Sequence, residues 1–288
     1  MKFGPSRAAL AALLLALAVT AGVSTRSDAV RPLTRIPPPS ECRALVRSEV
    51  KVKGKLTVAT ESPALAPWYA NNDPANQQGY ESAVAYHIAA VLGFKATHVV
   101  WYSEPYWLSE TAGHKAFDFD INEIIYNPKL TTKITFSKSY FNVNQSLVTV
   151  KNDLVITQHS PSQLKTYLYG DVKGVGLAFI SSKIRPTRPP LVYSTMALAI
   201  SALEAKKIDA IVVDTPSGQY IASQQLTDGV QVAQFHTTTE HYSLVLQKDS
   251  RLAACVNSAI LSLAKKGQLA ALQKKYLSIY NSIPFITP

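Results

Sequence analysis

The chain has 288 residues, of which 47% are hydrophobic and 17% are charged, and its formal net charge is +10. These values are typical of a globular protein and exclude a disordered, fibrous or polytopic membrane protein. The basic residues include isolated lysine pairs and form no run interleaved with aromatic residues, so we predict no binding to nucleic acid. The length leaves room for two domains of ordinary size.

Residues 1–29 have the features of an export signal. Lys2 and Arg7 precede an uncharged apolar run, 8–19, that is too short for a stable membrane anchor. We expect cleavage after small residues near position 21 or 29, with an uncleaved anchor as the alternative. The mature protein would then lie in the periplasm or outside the cell.

The segment after the signal is rich in proline. We predict a stiff linker over residues 30–49, with no regular structure in its first part, residues 30–42. Cys42 and Cys255 are the only two cysteines, and export to an oxidising compartment predicts a disulfide between them. The alternative is one buried thiol and one exposed thiol.

Strands and helices alternate beyond the linker. The apolar patterns predict these strands: 55–60, 98–102, 117–121, 146–151, 175–179, 208–213 and 241–247. They predict these helices: one capped by Ser82 and stopped by Gly93, one at 195–205, and a helical region at 250–280. A long loop at 61–79 precedes the first of them, and long loops often carry function. The alternation favours a mostly parallel sheet in each of two lobes.

Two stretches of the chain follow one pattern. Lys115–Glu123 and Lys206–Asp214 each pass from a basic residue through a strand-like run to an acidic residue, with a turn proline soon after. Open α/β folds bind ligands at the carboxyl edge of their sheets, where such acidic residues would lie. The two copies therefore predict two lobes that face one cleft.

Five stretches, in the same order along the chain, resemble the bacterial extracellular solute-binding proteins of family 3, the polar amino-acid receptors of ABC importers. They are KLTVATESPALAPW (55–68), GYESAVAYHIAAVLGF (79–94), FDFDINEIIYNPKLTTKITFSKSYF (117–141), ALEAKKIDAIVVDTP (202–216) and CVNSAILSLAKKGQLAALQKKYL (255–277). The resemblance implies an α/β, two-lobed periplasmic-binding-protein type II fold with a ligand cleft between the lobes. Lobe 1 would comprise residues 50–147 and 240–285, and lobe 2 residues 148–239.

The resemblance also implies a set of ligand-binding positions. They are Asp214, Asn122, Glu123, Trp68, Leu65, Ile125, Leu130 and Ser181. Asp214 matches the carboxylate that holds the ammonium group of the ligand, although an N-cap of the following helix is an alternative role. The family's lobe-two Gly-Thr-Thr signature, which forms a helix N-terminus, would correspond to 179–182, which include Ser181 and Ser182.

Three of these positions depart from the family pattern. Leu130 stands where the family has an arginine for the α-carboxylate of the ligand, Leu65 replaces an aromatic residue and Ile125 a hydroxyl. Leucine donates no hydrogen bond, and a carboxylate buried without a partner is costly. Either another cation substitutes or the ligand carries no α-carboxylate there. The candidate cations are Lys129, Lys138, Arg185 and Arg188.

The predicted cleft is acidic and aromatic. We expect these glutamates around its mouth: Glu61, Glu104, Glu123 and Glu240. The aromatic residues expected to wall the pocket are Trp68, Tyr69, Trp107 and Tyr140. This composition favours a cationic or amine ligand.

The sequence as a whole predicts an exported, non-enzymatic solute-binding receptor of an ABC importer with a diverged pocket. We expect a monomer that binds a small solute, an amino acid or amine, and a membrane permease. The alternatives are an enzyme of the cyclohexadienyl dehydratase type on the same fold and a degenerate receptor for a protein partner. His236 and His241 lack an apparent third ligand, so we expect no metal and no cofactor.

Overall fold

The structure is a computed structural model that describes residues 35–151, 154–157, 160–236, 240–277, 283 and 285–286. The predicted export signal at 1–29 lies outside these residues. Within the described ranges, no helix combines the length and the apolar character that crossing a membrane requires.

The elements are numbered in chain order. The strands are β1 (Leu56–Thr60), β2 (Val99–Ser103), β3 (Phe119–Asp120), β4 (Ile134–Asn142), β5 (Gln145–Val150), β6 (Gly170–Val172), β7 (Leu191–Tyr193), β8 (Ile211–Asp214), β9 (Gly229–Phe235), β10 (His241–Gln247) and β11 (Phe285–Ile286). The helices are α1 (Pro39–Glu49), α2 (Tyr80–Leu92), α3 (Tyr106–Ser109), α4 (Pro161–Leu164), α5 (Val175–Phe179), α6 (Met196–Glu204), α7 (Thr215–Tyr220), α8 (Leu252–Lys265) and α9 (Gln268–Leu277).

The first lobe is built on a five-stranded sheet with the order β2-β1-β3-β10-β4. β1 runs parallel to β2 and β3, whereas β10 runs antiparallel to β3 and β4. Helices α1, α2 and α8 contribute to one core with these strands, in which Val46, Val84, Leu244 and Val256 are buried. The carboxyl ends of β1 and β3 therefore lie at one edge of this sheet, followed in sequence by Glu61 and Ile121.

The second lobe contains a four-stranded sheet with the order β11-β9-β5-β8 and a parallel pair of β6 and β7. β5 pairs antiparallel with both β8 and β9. The prediction of a mostly parallel sheet is therefore wrong for this lobe. The chain enters the lobe through β5, directly after β4, and leaves it through β9, ahead of β10, so the entering and leaving strands run in opposite directions. The proposed lobe boundaries stay a prediction.

Helix α1 corrects the prediction that residues 30–42 have no regular structure. It begins at Pro39, with Pro38 as its N-cap, and it includes all of 39–49. Proline is tolerated in the first turn of a helix because the N–H that it lacks would have no partner inside the helix. Cys42 and Val46, one turn apart, are buried. The predicted disulfide between Cys42 and Cys255 is confirmed, with a Cα–Cα distance of 5.3 Å, and it fastens α1 to α8.

A second correction concerns residues 175–179, which form helix α5 rather than a strand. A short apolar run does not distinguish a buried strand from a helix, and the strand lies just upstream at β6. The helix continues through a π-helical turn at Ile180–Ile184. Two smaller differences occur in the first lobe. Ser82 does not cap α2, since its hydroxyl donates to the Pro74 carbonyl at 2.8 Å. The strand predicted at 117–121 is shorter than expected and consists of β3 alone.

Candidate functional site

Three carboxyl groups from distant parts of the chain meet at the site. Glu123 follows β3, Asp214 ends β8 in the second lobe, and Glu81 lies in the first turn of α2. The backbone N–H of Glu123 donates to Glu81 Oε1 at 2.8 Å. The side chains of Glu123 and Asp214 are hydrogen-bonded to each other. We call Glu81, Glu123 and Asp214 the carboxyl cluster.

Burial raises the pKa of each member of the carboxyl cluster. Glu81 is fully buried, and burial raises its pKa to about 8 although the Tyr140 hydroxyl donates to it. Burial, with the negative charges of Asp214 and Glu81, raises the pKa of Glu123 well above its usual range. Burial also raises the pKa of Asp214. Like charges at close range disfavour double ionisation, and Glu123 and Asp214 are close enough for each to act on the other.

Several buried polar atoms around the cluster have no hydrogen-bond partner within the described part of the chain. They are Glu81 Oε2, Asp120 Oδ1 and Asn122 Nδ2. Asp120 accepts a hydrogen bond from Ser109 on its other oxygen, and burial raises its pKa to about 7. Asn122 is 3% exposed, and its Oδ1 accepts a long bond of 3.5 Å from Thr60. Buried polar atoms are nearly always paired in folded proteins, so these three atoms are exceptions to the rule.

Trp68 connects the two lobes at the site. Its side chain is fully buried, and its ring meets Tyr80, Phe141 and Tyr242 edge-on at centroid distances of 5.4–5.9 Å. Its Nε1 donates to Ser217 Oγ in α7 at 2.9 Å. Trp68 therefore lies between the first-lobe core and the helix that follows Asp214.

Asp214 has a structural role that the sequence left open. Its carboxylate accepts the backbone N–H of Ser217 at 2.9 Å and caps α7, and Pro216 lies in the first turn of that helix. The same side chain also reaches Glu123. Asp214 therefore caps α7, and this role does not prevent the predicted contact between Asp214 and a ligand.

The three apolar candidate positions have different surroundings. Leu130 is half-buried and packs on the cluster of Ile124, Ile134 and Val245 in the first lobe. Ile125 forms an isolated β-bridge with Tyr242. Leu65 is 43% exposed. Leu130 thus makes hydrophobic contacts at the position where the family has an arginine.

None of the four candidate cations pairs with the carboxyl cluster among the described residues. Arg188 pairs with Asp209 at 3.2 Å, and Arg185 Nε donates to the Ser182 carbonyl at 2.8 Å. Lys129 and Lys138 are exposed. A substitute for the missing arginine is therefore not supplied by any of these four side chains in this conformation.

Ser181 lies away from the start of its helix. The helix begins at Val175 after Gly174, and the hydroxyl of Ser181, one turn or more along, donates to the Leu177 carbonyl at 2.9 Å. The predicted helix N-terminus at 179–182 is therefore wrong, because the strand that precedes the helix is β6 rather than 175–179. Ser181 is exposed and its hydroxyl is occupied by its own helix.

A cavity of about 250 Å³ is lined by residues from both lobes, among them Tyr106, Phe179, Ser182, Lys183 and Glu240, and no member of the carboxyl cluster lines it. Its volume is somewhat below the range of roughly 300–1,000 Å³ that is usual for drug-sized ligands. Glu240, predicted at the mouth, lines this cavity. Burial raises the pKa of Glu240, and the hydrogen bond from Gln145 and the charge of Lys183 offset only part of this effect.

Two residues of the site, Glu81 and Lys183, were not predicted from the sequence, and one predicted wall residue, Trp107, is exposed. A glutamate in the first turn of a helix is usually exposed to solvent and interacts favourably with the helix dipole. Nothing in the sequence therefore indicated that Glu81 is buried. Nothing in the sequence distinguished Lys183 from the other lysines of this basic protein. Among the predicted aromatic walls, Tyr69 and Tyr140 are buried, but Trp107 is 66% exposed.

Comparison with solved structures shows the same fold, and the structures named here are each below 25% identical to the chain. An arginine 3rd transport system periplasmic binding protein from Legionella pneumophila is 17% identical, with 77% of this chain and 99% of that chain covered and a TM-score of 0.64. A substrate-binding protein of an amino acid ABC transporter from Streptococcus pneumoniae, bound to L-arginine, is 21% identical (82% and 98% covered, TM-score 0.64). An ancestral amino acid-binding protein, a precursor of cyclohexadienyl dehydratase, is 19% identical (82% and 98%, TM-score 0.64).

No curated protein sequence matches the chain. A family model does match, over residues 56–279, which include both sheets apart from β11 and nearly all the helices. The two lobes and the interlobe cleft agree with that match. The chain belongs to the bacterial extracellular solute-binding proteins, family 3.

Proposed function

We propose that this protein is an exported receptor of an ABC importer and that its ligand is an amine or another small cation without a free α-carboxylate. The observation that carries the proposal is the carboxyl cluster. Glu81, Glu123 and Asp214 lie together, buried or partly buried, and none of them takes part in a salt bridge within the described ranges.

A cationic ligand would supply the positive charge that the carboxyl cluster lacks. An opposite charge within a few ångströms favours the ionised form of a carboxyl group, so an ammonium group would lower the raised pKa values of Glu81, Glu123 and Asp214. The new hydrogen bonds would be charge-assisted and about twice as strong as neutral ones. The electron-rich faces of nearby aromatic rings also attract cations.

A ligand carboxylate finds little support at the same place. Leu130 offers no donor and packs on apolar side chains. A carboxylate near the carboxyl cluster would also meet like charge and would be desolvated without a partner. The proposal therefore predicts that an amine binds more tightly than the amino acid that carries the same side chain.

The mechanism would be conformational. Glu81 and Glu123 belong to the first sheet and its helices, and Asp214 ends a strand of the second sheet. A cation that contacts both sides favours the closed lobes by its higher affinity for that state. A permease that recognises the closed lobes would then receive the loaded protein.

The test is isothermal titration calorimetry with matched ligand pairs, each an amino acid and its decarboxylated amine, such as arginine and agmatine or lysine and cadaverine. We expect the amine of each pair to bind more tightly. Tight binding of free α-amino acids, with no preference for the amines, would contradict the proposal. Prephenate is included with an ultraviolet assay for its consumption, and turnover would favour the dehydratase alternative.

A further inference from the structure

A second cavity, of about 390 Å³, lies at the opposite edge of the first sheet from the cleft. It is lined by residues that precede β1 and β2, by the end of α2 and by one face of α1. We call it the basic pocket. It is lined by Arg43, Arg47, Lys53, Gly54, Leu92, Gly93, Phe94 and His98.

Helix α1 presents two guanidinium groups to the basic pocket. Arg43 and Arg47 are four residues apart and therefore lie one turn apart on the same face of the helix. Cys42 and Val46, their neighbours in sequence, are buried, and the disulfide of Cys42 fastens the helix to α8. The two arginines thus project from a helix that is held in place on its other side.

The end of α2 makes room for one of these arginines. Gly93 caps α2 with a φ of 94°, in the left-handed region that favours glycine. A Cβ at this position would lie 3.3 Å from Arg43 Cγ. The aliphatic part of Arg43 therefore rests on the backbone at Gly93, and the half-buried Phe94 supplies an apolar wall.

The charge of the basic pocket has no partner among the described residues. Its lining contains four basic side chains, Arg43, Arg47, Lys53 and His98, and no acidic one. Helix α1 has two glutamates of its own, but both are used elsewhere. Glu41 pairs with Arg35 at 2.6 Å, and Glu49 pairs with Arg251 at 2.9 Å.

We propose that the basic pocket is an anion site that binds a phosphoryl group. Two guanidinium groups on one helix face can each hold a tetrahedral oxyanion in bidentate fashion, and Lys53 adds a compact third charge. The positive net charge of the chain attracts such ligands over a longer range. The phosphoryl group belongs either to a small soluble phosphate compound or to the headgroup of an anionic phospholipid.

Calorimetry at low ionic strength with inorganic phosphate and pyrophosphate tests the soluble source. Flotation with vesicles of phosphatidylcholine alone, or with roughly a third of phosphatidylglycerol, tests the lipid source. The test variant is Arg43→Gln/Arg47→Gln. The matched control is Lys206→Gln/Lys207→Gln, which removes the same charge from two exposed positions that follow α6.

We expect at least one phosphoryl probe to bind the unmodified protein and the control equally, and to bind the test variant at least about tenfold more weakly. If pyrophosphate competes with the anionic vesicles for the protein, the phosphoryl group is that of a lipid headgroup. If the soluble anions bind and the vesicles do not, the phosphoryl group is that of a small soluble compound. Absence of binding by every probe, or equal weakening in the control, would overturn the proposal. Lys53→Gln, on an exposed turn, repeats the test if the double variant lowers the melting temperature.

Discussion

The indole Nε1 of Trp68 donates a hydrogen bond to Ser217 Oγ at 2.9 Å, and this bond joins the core of the first lobe to helix α7 of the second. The bond lies next to the contact between Glu123 and Asp214, because Asp214 caps the same helix turn through the Ser217 N–H. The two lobes therefore meet at this point through the Trp68–Ser217 hydrogen bond and the contact between Glu123 and Asp214.

Ser217→Ala is expected to weaken the closed state. The change removes the acceptor of the buried Trp68 N–H, which costs about 1 kcal/mol or somewhat more and corresponds to roughly fivefold in affinity. Calorimetry with the best amine from the matched panel measures the effect. Ser201→Ala is the control, since that hydroxyl donates only to a carbonyl of its own helix. Equal affinities in the two variants would show that the bond does not contribute to closure.

Asp214→Asn separates the two roles of Asp214. Asparagine caps helices about as well as aspartate, so α7 should keep its start and the melting temperature should change little. The variant loses the negative charge that a cationic ligand would contact, and we expect at least about tenfold weaker binding. Asp214→Ala should lose both binding and part of the cap. An unchanged affinity in the asparagine variant would assign Asp214 to capping alone.

The raised pKa of Glu81 predicts how stability depends on pH. Between the usual value of 4.5 and the folded value of about 8, the folded chain binds more protons than the unfolded chain at this residue. The free energy of unfolding therefore falls as pH rises through this window, by at most a few kcal/mol from this group. Asp120 and Asp171, whose pKa values burial raises to about 7, act in the same direction.

Urea denaturation of the unmodified protein and of Glu81→Gln between pH 5 and about pH 8 measures this slope. We expect the slope to be shallower in the glutamine variant, because its side chain does not titrate. Stability that rises with pH, and does so equally in both proteins, would show that Glu81 is ionised throughout. Binding of an amine should release protons, which calorimetry in buffers of different ionisation enthalpy detects.

Leu130→Arg tests the loss of the carboxylate contact. If the missing arginine explains weak amino-acid binding, restoring it should strengthen the binding of α-amino acids by roughly 30- to 1,000-fold, the worth of a charge-assisted bidentate pair. Leu130→Met is the control, since methionine preserves the packing on Ile124, Ile134 and Val245. Tight binding of a free α-amino acid by the unmodified protein would mean that another cation has taken the arginine's role.

The sequence by itself determined the family, the fold class, the disulfide and most of the regular elements. Strands β1, β2, β5 and β10 follow their predicted ranges within a residue or two, because alternation of apolar side chains is a local property of the chain. The disulfide was predictable since the chain has two cysteines, which leave one pairing, and the sequence predicts export to an oxidising compartment. The helix at 39–49 and the helix at 175–179 were missed, because prolines and short apolar runs are compatible with more than one local structure.

Only the tertiary structure decided how the site is composed. The burial of Glu81, its contact with the backbone of Glu123 and the bond from Trp68 to Ser217 join residues that are far apart in the chain. The same holds for the pairing of Glu49 with Arg251, which directs the charge of this glutamate away from the basic pocket. Burial and charge pairing depend on which surfaces pack together, and the pKa of a carboxyl group follows from that packing rather than from its neighbours in sequence.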